Sequence, residues 1–279
     1  MRMLTEHEHQ SLSNAVLFKD ITVMQRQVPA LFATFPSPKM SDKYGFTDTY
    51  SIMMHLINRG WTVVSVQQTG KGMFGKLMLR LEHVQLPLTP HGKAQIVIID
   101  SHDGTAAFKI MLGWYRFVCA NGLILGKHAF ATSIKHNRAD IGAQVLLDMI
   151  DATYAAQSIT KNINDMRCIN LDVTQQLAYA RQIAAVRANV DPEDRHAEAR
   201  LSIIAGALLT IRRAEDARRH NTRDLYTTMN VVQENALRGD VRYGFQGSIN
   251  TIRPISSINM QYDVNTACWD VAQNMLQAA

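Results

Sequence analysis

Apolar and polar positions alternate over residues 61–69 (WTVVSVQQT) and 77–84 (LMLRLEHV), the two-residue period of a half-buried strand. The connector GKGMFG between them is glycine-rich, so the pair predicts a β-hairpin with a mobile, basic tip. Residues 95–101 (QIVIIDS) predict a further strand, and the Asp103-Gly104 pair that follows predicts a turn into a return strand over 106–112. Ahead of these, residues 24–34 predict a short helix around Pro29, and 48–59 a second one capped by Thr47, with Met53 and Leu56 in its apolar stripe and Gly60 as its stop. Residues 114–121 (WYRFVCAN) read as a short buried helix ended by Gly122, and 123–134 as strand-like.

Beyond residue 140 the period changes. Residues 141–165, 174–189, 197–217 and 222–238 repeat apolar positions at helical spacing, the last capped by Asn221 or Thr222 and stopped by Gly239. Residues 243–247 read as a loop, 249–258 as a strand broken at Pro254, and Asp263 as the cap of a final helix running to Leu276. The expected class is α+β: an antiparallel meander sheet with helices in the N-terminal half and a mostly helical C-terminal half. Two subdomains packed together, 1–140 and 141–279, are expected.

A hydrophobic content of 47% over 279 residues fits a packed core and excludes a disordered chain. No apolar run approaches the roughly 20 residues of a membrane helix, and Glu6, His7, Glu8 and His9 make the first ten residues unlike a signal peptide, so a cytoplasmic location without membrane association is expected. Cys119, Cys168 and Cys268 suit neither a disulfide framework nor a metal knuckle and are expected to be reduced thiols, mostly buried. The formal charge of +5 becomes informative through its distribution. Arg212, Arg213, Arg218, Arg219, Arg223, Arg238, Arg242 and Arg253 share their stretch with only Glu215, Asp216, Asp224, Glu234 and Asp240, which places the electropositive face in the C-terminal third.

Ser101-His102-Asp103-Gly104-Thr105 gathers a hydroxyl, an imidazole and a carboxylate, but neighbouring strand residues face opposite ways, so a turn fits better than a catalytic triad, with a polar pocket as the alternative. The glycines of 70–75 join two strands and do not open a helix, unlike a nucleotide loop; with Lys71, Lys76 and Phe74 the tip suits single-stranded nucleic acid. His7 and His9 form an incidental tract, and no metal-ligand motif occurs elsewhere. Glu234 lies four residues before Arg238, an intrahelical pair that needs no ligand.

Ser101-His102-Asp103-Gly104-Thr105, then Arg116-Phe117-Val118-Cys119-Ala120-Asn121-Gly122-Leu123, then Leu225-Tyr226-Thr227-Thr228 with Gln233-Glu234-Asn235 and Arg238-Gly239 together resemble the phage/plasmid-like proteins of unknown function found on prophages and conjugative plasmids. The resemblance runs from about Lys39 to the C-terminus and implies a mobile-element setting more than a mechanism.

Two classes of function follow. The first is a non-enzymatic nucleic-acid-binding protein of recombination or replication, favouring single-stranded DNA, able to form a homo-oligomer, without cofactor or metal, and contacting phosphates through Lys71, Lys76, Arg80, Arg212, Arg213 and Arg238. The second is a metal-dependent nuclease or nucleotide-modifying enzyme in which Asp100, His102, Asp103 and Glu234 converge. A factor acting on a host enzyme is a third possibility.

Overall fold

The computed structural model describes residues 21–117, 121–125, 131–134, 141–217 and 223–279; Cys119, the His7/His9 tract, Arg218, Arg219 and the expected caps Asn221 and Thr222 lie outside the described residues. The fold is α+β. Strands β1 (Thr62–Thr69), β2 (Lys76–Glu82), β4 (Gly92–Ser101), β5 (Phe108–Arg116) and β6 (Asn121–Ile124) neighbour one another in that order, β3 (Leu88–Thr89) pairs with β4, and β7 (Ala131–Ile134) pairs with β5. Contacts divide the chain into two compact units, the first holding residues 1–88, 93–113 and 130–157, the second 89–92, 114–129 and 158–279.

In the first unit β1 and β2 form the expected hairpin, with a register break between Val63 and Ser65. Its tip is held: Gln68 donates to the carbonyls of Gly70 (3.2 Å) and Gly72 (2.8 Å), and Phe74 packs edge-on against Phe35. The alternation in β2 does not separate a wet face from a dry one, because β2 and β4 are buried along nearly their whole length. Helix α1 (Ile21–Gln27) precedes a 3-10 turn begun by Pro29, and helix α2 (Thr49–Ile57) starts one residue later than expected. Asp48 caps α2, accepting from the Ser51 backbone N–H at 2.9 Å, and Gly60 follows its end at φ +84°.

In the second unit the expected helix over 114–121 is replaced by the last residues of β5, since Trp114, Tyr115 and Arg116 continue the strand and aromatic side chains suit it. Helix α3 (Ile141–Cys168) passes from the first unit into the second. Strand β8 (Asn170–Leu171) follows, then α4 (Val173–Ala188), opened by a reciprocal capping box of Asp172 and Gln175. Helix α5 (Glu198–Leu208) stops well short of residue 217. Strand β9 (Arg223–Asp224) pairs with β8, and α6 (Leu225–Arg238) is capped by Asp224. Residues 243–247, expected as a loop, belong to a hairpin of β10 (Val241–Phe245) and β11 (Ser248–Ile252), whose turn residues Gln246 and Gly247 both take positive φ. The final helix α7 (Ile258–Ala278) begins six residues earlier than expected, capped by Ser257 and not by Asp263. Among the described residues no helix is long and apolar enough to cross a membrane.

Cys168 is exposed, against expectation, whereas Cys268 is buried and its thiol is pushed up to about 12 by that burial. Alkylation at about pH 8 is therefore expected to label Cys168 and spare Cys268 in the folded protein, as read by peptide mass mapping; a labelled Cys268 would contradict the packing. Gly239 ends α6 at φ +65° and ψ −143°, and a Cβ there would collide with the backbone of Arg253 and Pro254. Gly239→Ala is expected to lower stability by about 2 kcal/mol or more in urea melts, against about 1 kcal/mol for Gly247→Ala, where the surroundings are open.

Candidate nucleic-acid interface

Helix α6 is buried from Leu225 to Ala236, although Thr227, Thr228, Asn230, Gln233, Glu234 and Asn235 are polar. A dry helix of this composition holds only if its side chains find partners. Asp224 accepts from the Thr227 backbone N–H (2.7 Å) and its hydroxyl (2.8 Å), closing the first turn. The Trp114 indole N–H donates to the Tyr226 hydroxyl at 3.0 Å. Over the Tyr226 ring, 5.9 Å from its centroid, lies the Arg116 guanidinium, which forms a two-pronged ion pair with the buried Asp216.

The consecutive residues Gln233, Glu234 and Asn235 then reach three different parts of the unit. Gln233 donates to the Asn265 side-chain oxygen of α7 at 2.8 Å, and the same oxygen accepts from the Ile124 backbone of β6. Glu234, only 2% exposed, accepts from Arg213 at 2.6 Å and lies 3.7 Å from Arg238. Asn235 donates to the carbonyls of Leu208 (2.7 Å) and Thr210 (2.8 Å), which bends the chain out of α5 and explains its early end.

Arginines gather around the last turn of α6, where unsatisfied carbonyls and the helix dipole favour positive charge. Arg212 donates to Asn235 and to the Gly239 carbonyl, and Arg187 donates to the carbonyls of Ala236 and Arg253. Arg213 and Arg238, with side chains 33% and 42% exposed, share Glu234. Arg242 and Arg253 are also exposed. Four guanidinium groups thus gather at the end of α6, two on the buried Glu234 carboxylate and two on the helix-end carbonyls.

Of the residues selected from sequence, the structure brings Arg212, Arg213, Arg238 and Glu234 together in the second unit. The others belong to the first unit. Lys71 is exposed at the hairpin tip, but Lys76 and Arg80, expected on the surface, are each 8% exposed. Lys76 donates to the Thr105 carbonyl, and burial pushes the Arg80 guanidinium down to about 10. Both sit in a strand covered on its two faces.

Most polar groups of Ser101-His102-Asp103 are committed to architecture; the exception is the buried His102 Nδ1, which makes no hydrogen bond among the described residues and lies 3.9 Å from the Asp100 carboxylate. The Thr49 hydroxyl donates to the fully buried Asp100 at 2.5 Å, and the Tyr44 hydroxyl donates to the Ser101 carbonyl at 2.9 Å. His102 Nε2 lies 2.9 Å from the Ala30 carbonyl, which can only accept, so that nitrogen carries the proton. Asp103 accepts from the Thr105 backbone at 3.0 Å across Gly104, whose φ is +75°. Burial opposes ionisation of Asp103, but hydrogen bonds from Thr105 and Ser101 outweigh it and hold the carboxyl below its ordinary range. Among the described residues no three His, Cys, Asp or Glu side chains group as a metal site. Arg187 and the Arg116–Asp216 pair went unnoticed in the sequence, where neither has a local signature.

Fold and site together define an α+β protein in which a buried helix rich in polar residues carries arginines at its C-terminal end. Residues 38–269 match the family described as "Domain of unknown function (DUF932)", and the chain belongs to that family. It is similar to "UPF0380 protein YfjQ" and "UPF0380 protein YafZ" of Escherichia coli (strain K12), each 26% identical over 257 residues that cover 90% of this chain and 89% of the relative. No solved structure matches it.

Arg116→Met leaves the buried Asp216 without its ion-pair partner and is expected to cost about 3–5 kcal/mol in chemical denaturation. The double variant Arg116→Met/Asp216→Leu is expected to regain most of that loss; additive losses would show that the two side chains act separately.

Proposed function

We propose that this protein binds nucleic acid, single strands in preference to duplex, through the arginines around the end of α6, and that it serves replication or recombination of a phage or plasmid. The observation that carries this reading is the charge balance at that end: Arg187, Arg212, Arg213 and Arg238 against Glu234 and Asp240. Phosphate backbones are bound by clustered guanidinium groups, and arginine suits them because its planar fork meets two oxygens at once. Arg187 and Arg212 are anchored on backbone carbonyls, so the cluster is held in place before any ligand arrives. The net charge of +5 adds long-range attraction. Preference for single strands rests on an analogy of architecture with annealing proteins, and Lys71 at the hairpin tip offers a second contact.

Fluorescence anisotropy of a labelled single-stranded oligonucleotide, with duplex of equal length as competitor, tests the reading. Affinity is expected to fall as salt rises, and Arg238→Ala is expected to weaken binding severalfold at low salt and to flatten the salt slope by about 0.7, the share of one phosphate contact. Binding that ignores salt, or no binding, would sink it.

A further inference from the structure

The first unit contains a cleft of about 810 Å³ between the end of α2, the start of β1, the segment after β2 and the N-terminal part of α3. Its walls are aromatic: Trp61 stacks against His83 with ring centroids 4.9 Å apart, and Tyr154 stands 75% exposed on α3. Among the described lining residues the only permanently charged side chain is Arg59, whose Nη1 makes a long 3.4 Å bond to the His55 carbonyl. Among the described residues no carboxylate lines the cleft. His83 Nδ1 accepts from the Gln85 backbone at 3.2 Å, which places the ring proton on Nε2 as a donor, and the Gln157 side-chain amide donates to the Gln85 backbone carbonyl at 3.3 Å. Aromatic faces, in-plane amide donors and acceptors, and a single cation form a set that complements a flat heteroaromatic ring carrying an anion.

We infer that this cleft binds a nucleotide, its base between Trp61 and Tyr154 and its phosphate towards Arg59. The inference is independent of the arginine cluster around α6. A free nucleotide and an unpaired base of a strand present the same chemistry.

Titration of 5′-AMP and of adenosine at low salt, followed by tryptophan emission, tests the site, because Trp114 and Trp269 are fully buried whereas Trp61, though only 9% exposed, lines the cleft, so a quench reports Trp61. A saturable quench by 5′-AMP is expected, weaker with adenosine, and weakened about tenfold by Tyr154→Ala or Arg59→Ala, both solvent-exposed positions whose urea midpoints should not move. Arg238→Ala should leave it unchanged, which separates this site from the cluster on α6. A short oligonucleotide that quenches the same signal more tightly than 5′-AMP identifies a strand as the source; 5′-AMP quenching alone identifies a free nucleotide. Absence of saturation by about 1 mM, or a quench indifferent to both substitutions, overturns the inference.

Discussion

A hydrogen-bonding group taken out of water has to be met by another inside the protein, and α6 imposes that requirement at three successive positions. Consecutive helical residues point about 100° apart, so Gln233, Glu234 and Asn235 together look towards most of the helix circumference. Each direction is answered by a different element: Asn265 of α7, Arg213 of the connector, and the carbonyls that end α5. The helix therefore acts as an axle on which the second unit is assembled. Its arginine-rich end follows from the same requirement, since the last carbonyls of a buried helix need donors and Arg187 and Arg212 supply them.

The first unit solves a similar problem at the end of β4. Asp100, Ser101 and His102 tie the irregular segment between Ala30 and Thr49 to the sheet, each through a hydrogen bond that crosses a long stretch of sequence. Residue types that elsewhere perform acid-base chemistry here hold a loop in place. The two units differ in what remains for a ligand: the second presents charge, the first an aromatic cleft.

Local signals made much of this fold legible. The hairpin of β1 and β2, the stops at Gly60 and Gly239, and the turn at Asp103-Gly104 depend on residues within a few positions of one another. What escaped was decided at a distance. Helix α5 ends at Leu208 because Asn235 captures the carbonyls beyond it, and nothing in residues 197–217 announces that. Lys76 and Arg80 alternate with leucines as surface residues do, yet whether a sheet face is wet depends on what the rest of the chain lays over it. Gln246-Gly247 makes a two-residue hairpin turn without the asparagine or aspartate that usually marks one. The density of arginine in the C-terminal third was visible; the contribution of Arg187 was not, because it comes from a helix whose sequence spacing gives no reason to single it out.

Helix α3 supplies residues 141–157 to the first unit and 158–168 to the second. During synthesis the first unit is thus incomplete until the chain has grown past residue 157, even though β1, β2 and β4 have been available since residue 101. Trp61 and His83 wait through that interval without Tyr154 and Met149, the α3 side of their cleft. Strands that paired in that interval would expose apolar surface, the kind of intermediate on which chaperones act.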